Sequence, residues 1–161
     1  MKRNAALLAV ALTAALSISH AGTSINTIGS RDGTAIKGYD PVAFFTQKKA
    51  TSGSPNFSYE WSGAKWLFAS EEDLLLFKQE PEKYAPQYGG HCAFGMSEGY
   101  VSKKPTNGDF EIMDGKLYLF PAGDYRGSTK EAWWRYGRGP KQRIADADKN
   151  WPRFKTELEA K

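Results

Sequence analysis

Apolar and polar residues alternate over Phe57-Ser58-Tyr59-Glu60-Trp61, the pattern of a strand with one buried face. Ser62-Gly63 supplies a turn, and Lys65-Trp66-Leu67-Phe68 predicts the return strand of a hairpin. The pattern recurs in Phe110–Met113 and Lys116–Phe120 around Asp114-Gly115, a strong short-range hairpin signal. Helical signals lie between and after the hairpins. Ser70 is placed to cap a helix whose first turn holds Glu71, Glu72 and Asp73, and Leu74 to Phe77 supply its buried face. Asp40 and Pro41 predict the start of a short helix through Phe45. Ser128–Tyr136 and Lys141–Leu158 predict two C-terminal helices, with a kink at Trp151-Pro152. In the second of these, Ile144, Ala147 or Asp148, and Trp151 recur at helical spacing. Two hairpins and several short helices make an α+β domain.

The first residues follow a different pattern. Met1-Lys2-Arg3-Asn4 is basic, Ala5 to Leu16 is apolar apart from Thr13, and Ser19-His20-Ala21 carries small residues where a signal peptidase reads. This layout predicts a cleavable signal peptide over residues 1–21, cut after Ala21, and a periplasmic or secreted product. The apolar run is too short for an anchor helix, so no transmembrane segment is expected after cleavage. Residues 22–34, rich in Ser, Thr, Gly and Asn, read as a flexible lead-in. Residues 35–161 read as one domain.

Composition sharpens the picture in three places. The chain has 161 residues and a net charge of +4, but Lys2 and Arg3 leave with the leader, so the basic surplus is no argument for nucleic acid. Its 5 Trp, 8 Tyr and 9 Phe predict an aromatic core. The single cysteine excludes an intrachain disulfide. Loss of His20 leaves His91 as the one histidine, next to that cysteine, Cys92.

Cys92, His91 and Met96 are therefore the candidate site. Cys92 and Met96 stand four apart, which on a helical turn puts both sulfurs on one face. Thiolate, imidazole and thioether together suit a soft ion such as copper, or zinc, as a metal site. Two other readings stand beside it. Cys92 is a redox thiol or part of a small-molecule site, or it is an inert space-filling residue of an interaction module, with Met96 in the core and His91 on the surface. No GxSxG, Walker loop or HExxH is present, so enzyme activity is not expected. Asp40, Glu111, Asp114 and Asp124 read as caps, turns and solvated faces. The basic stretch Arg135–Arg143 also reads as a solvated face.

The runs GYDPVAFF, YEWSGAKWLFASEED and FKQEPEKYAPQYGGHCAFG, followed by DGKLYLF and ADADKNWP, resemble the exported bacterial YHS domain-containing proteins. The resemblance covers roughly Gly38 to Pro152. It implies a small treble-clef-like α+β unit with a metal-handling role and a metal ion, small molecule or periplasmic protein as partner. Where thiol-rich relatives carry cysteines, this chain has Ala43, Ala69 and Asp73. Only Cys92 carries over from the exported subfamily, and His91 stands where relatives often carry Tyr. The expectation is an accessory periplasmic binding protein for a soft metal.

Overall fold

A computed structural model describes residues 22–121, 128–135 and 137–161. The leader, Asp124 and Tyr136 lie outside the described residues. The elements in order are α1 (Ala43–Thr46), β1 (Ser54–Trp61), β2 (Ala64–Phe68), α2 (Glu71–Gln79), α3 (Pro81–Tyr84), α4 (Ala93–Ser97), β3 (Thr106–Met113), β4 (Lys116–Pro121), α5 (Thr129–Arg135) and α6 (Pro140–Glu159). Short 3-10 turns cover Ala35–Gly38 and Gln87–Gly90. The architecture is α+β, with two separate two-stranded antiparallel sheets. No helix of the described residues is long and apolar enough to cross a membrane.

Both hairpins form where the alternation placed them. β1 pairs with β2 in a register of Tyr59 with Trp66 and Trp61 with Ala64. β3 pairs with β4 through Phe110 with Leu119 and Met113 with Lys116. At the second turn Asp114 and Gly115 both take positive φ, 50° and 72°, which matches the right-handed twist of the two strands. The capping forecast for α2 also holds, since the Asp73 backbone N–H donates to Ser70 Oγ at 3.1 Å.

β4 organises the interior. Successive side chains of a strand point to opposite faces, and Leu117 and Leu119 enter one cluster while Tyr118 and Phe120 enter another. The first cluster is built around Trp66, Phe68 and Phe77, with Phe77 5.2 Å from Trp66 and 5.1 Å from Phe68 between ring centres. The second holds Tyr88, Met96, Trp133, Ala147 and Phe154. Trp133 meets Phe120 edge-on at 5.6 Å. α6 reaches this second cluster through Ala147, with Ile144 and Trp151 packed beside it, which is the stripe its spacing predicted. The helix runs on through Pro152 to Glu159.

Three sequence expectations need amendment. The lead-in is docked: Ser24, Ile25 and Asn26 are buried, and the Asn26 backbone N–H donates to the Gly89 carbonyl at 2.8 Å. These bonds span more than sixty residues and leave no local signature. The basic stretch is only partly a solvated face. Arg143 is buried over the Phe94 ring and donates to Glu98 at 2.6 Å, and Arg138 pairs with Glu98 and with Asp146. Asp40 caps the turn that leads into α1, but it is fully buried and not on a solvated face. Its Oδ1 accepts from the backbones of Val42 (2.8 Å) and Ala43 (3.2 Å), and its Oδ2 from Ala69 (2.7 Å), so one carboxylate fastens α1 to the end of β2.

Candidate functional site

The segment 87–92 is built as a doubled-back turn. Tyr88 and Gly89 both take left-handed backbone angles, φ 55° and 61°, and the His91 N–H returns to the Tyr88 carbonyl at 3.0 Å. The Tyr88 hydroxyl donates to Asp148 on α6 at 2.9 Å, fixing the turn against that helix. From the other side the lead-in clamps it, with Asn26 Nδ2 donating to the Gly90 carbonyl at 3.0 Å.

This construction buries His91, which is 3% exposed and lies 6.5 Å from the Trp151 ring. Burial pushes its pKa down to about 4, Lys161 adds to that, and the Ser24 backbone opposes it. The ring is neutral at physiological pH. Neither ring nitrogen finds a hydrogen-bonding partner of good geometry among the described residues. His91 borders a cavity of about 500 Å³ whose walls include Ile25, Ile28, Val101, Phe154 and Leu158.

Cys92, the next residue, faces elsewhere. It is the N-cap of α4, and its Sγ accepts from the Gly95 N–H at 3.4 Å. Burial raises its thiol pKa, against smaller downward pulls from Gly95, Thr129 and Lys104. It borders a second cavity of about 530 Å³ with Tyr100, Lys104, Pro121 and Thr129. Residues 101–103 border both cavities. Met96 is fully buried in the second aromatic cluster. The three expected metal donors thus occupy three settings. Among the described residues, no group of three or more His, Cys, Asp and Glu side chains could hold a metal ion.

A capped, buried, protonated thiol is slow to react. Alkylation of native Cys92 by iodoacetamide at pH 7.5 is expected to run at least about 100-fold slower than in the urea-unfolded chain, because it waits on local opening. Native labelling within tenfold of the unfolded rate would show that the sulfur is open to solvent.

Sequence reasoning found His91 but not its surroundings. Ile25 and Ile28 were the available signal: two isoleucines three apart in an otherwise polar lead-in. Phe154, on the helix beyond Pro152, had none. No family model matches the chain, and neither a curated protein nor a solved structure matches it.

Proposed function

We propose that this chain is an exported, non-enzymatic domain of the YHS type that holds a small organic ligand in the cavity bordered by His91. One observation carries the reading: a buried, neutral imidazole whose nitrogens make no hydrogen bond of good geometry among the described residues, in a histidine at the wall of a largely apolar cavity. A buried polar group left unpaired costs about 1–3 kcal/mol, so such groups are rare in folded proteins. Both ring nitrogens are shielded from solvent, so a ligand recovers that energy where a side chain of the wall turns aside to admit its donor or acceptor, and the apolar walls supply the remaining affinity. The leader pattern over residues 1–21 and the YGGHCAFG run support export and the family assignment. The α+β architecture, two hairpins set among short helices and the longer α6, is the coarse feature that the family reading shares with the structure.

An unpaired neutral imidazole also favours a second reading, ligation of a soft metal such as copper by His91 with Cys92 and Met96. The surroundings fit it less well, because Met96 is packed among rings and Cys92 borders the other cavity. The two readings separate in one experiment on the full chain with 15N-labelled histidine rings. Titration with indole, octan-1-ol and octanoate is expected to shift the His91 ring nitrogens and raise the Tm. The cavity-filling variant Ile28→Trp is expected to lose both responses. No shift with any of the three overturns the proposal. A shift with Cu(I) alone, abolished in Cys92→Ala, replaces it with the metal reading.

A further inference from the structure

We infer that the ligand of the His91 cavity is a small amphipathic anion, its apolar body on the isoleucine and α6 walls and its negative head between Lys103 and Lys161. The inference rests on the cavity reading above and adds the ligand's charge. Lys103 and Lys161 both border the cavity and are exposed. Among the described residues neither has an ion-pair partner, unlike Arg138 and Arg143 nearby. Lys161 is close enough to act electrostatically on His91 itself. The one acid on the described lining, Glu157, faces Arg153 at 3.9 Å, so its charge is partly answered. Lys103 and Lys161 thus offer two ammonium groups at the cavity, while Ile25, Ile28, Phe154 and Leu158 make the walls apolar.

Each candidate chemistry meets this site differently. A cationic head would sit against two unpaired ammonium groups. A neutral amphiphile would use the walls and leave the lysines idle. An anion uses the walls and both lysines, the ammonium groups donating to its head. About 500 Å³ lies within the range of about 300–1,000 Å³ that holds small organic ligands.

The experiment compares three eight-carbon probes that differ only in their heads: octanoate, octan-1-ol and octylammonium. Calorimetric titrations at pH 7.5 use the full chain. Octanoate is expected to bind about tenfold or more tighter than octan-1-ol, and octylammonium weakest. The double variant Lys103→Gln/Lys161→Gln is expected to weaken octanoate about fivefold and leave octan-1-ol unchanged. Both substitutions are on exposed side chains, so folding is preserved. Equal binding of octanoate and octan-1-ol, or an unchanged octanoate affinity in the double variant, overturns the anion inference and leaves the cavity reading intact. Failure of all three probes overturns the cavity reading itself.

Discussion

Between pH 4 and pH 6.5 the unfolding free energy of this protein is expected to change little, because two buried groups titrate there with opposite signs. Asp40 has its pKa raised from 3.8 to about 6, chiefly by burial and further by its neighbour Asp73, against the pull of the Ala69 and Val42 N–H bonds. The folded state therefore holds a proton that the unfolded chain has released. The stability this contributes is complete below pH 3.8 and is lost as the pH rises through about 6. His91 runs the other way. Its pKa falls from 6.5 to about 4, so its contribution is complete above pH 6.5 and is lost as the pH falls through about 4. Each changes stability by about 2 kcal/mol across the window, and both side chains are essentially fully buried. Substitution should expose one slope at a time. In His91→Gln the remaining Asp40 term makes stability fall by about 2 kcal/mol from pH 4 to pH 6.5. In Asp40→Asn the His91 term makes it rise by a similar amount, on top of a loss at every pH from the broken Ala69 bond. Asp73→Asn, which leaves the three Asp40 bonds in place, shifts the slope in the same direction by less. Urea unfolding at pH 4.0, 5.2 and 6.5 measures all four proteins. A wild type as steep as His91→Gln would show that the imidazole does not oppose the carboxylate. Asp32, held down to about 2 by Lys65 and Thr34, loses its contribution below this window.

The contrast between Asp40 and His91 also shows what one-dimensional reading reaches. Both hairpins, the Ser70 cap and the α6 stripe were legible because strand alternation, turn chemistry and capping act over a few residues. Asp40 was legible as the residue that leads into α1, since its Oδ1 accepts from backbones two and three residues away, although the helix proper begins at Ala43 and not at Pro41. Its burial was not legible, because Ala69 closes on Oδ2 from across the first hairpin. The same limit applies to the site. A histidine beside a cysteine suggested shared ligation, and four-residue spacing suggested two sulfurs on one face. Cys92 does cap the helix that carries Met96, so the local part was right. What turns Met96 into an aromatic cluster and gives His91 and Cys92 separate cavities is the docking of α6 and the lead-in from opposite ends of the chain.

That docking depends on one glycine, and Gly89→Ala is expected to be among the most damaging single methyl additions in the protein. Gly89 has φ +61°, a left-handed angle at which an alanine costs about 1–2 kcal/mol. The added methyl would also collide with the Ser24 carbonyl oxygen and lie 3.0 Å from Ser24 C and 3.2 Å from Ile25 Cα. These are backbone atoms and cannot rotate aside. The lead-in must lift, which removes the Asn26 bonds to Gly89 and Gly90, worth about 1 kcal/mol each. It also exposes Ile25, for about 2 kcal/mol more. A total loss of about 3–5 kcal/mol is expected, since these terms overlap. Gly115→Ala is the control. Its φ is +72°, but nothing lies within 4 Å of the new methyl, so only the angular cost of about 1–2 kcal/mol applies. Hydrogen exchange separates the two causes. Lifting the lead-in frees the Ile36 N–H, which donates to the Asn26 carbonyl at 2.7 Å, so that amide should lose protection in Gly89→Ala and keep it in Gly115→Ala. Ile25 and Ile28 also wall the His91 cavity, so octanoate binding should fall with the same variant while the fold of both hairpins persists. If Gly89→Ala is no more costly than Gly115→Ala and Ile36 stays protected, the lead-in is not held by this turn, and the cavity has no fixed wall on that side.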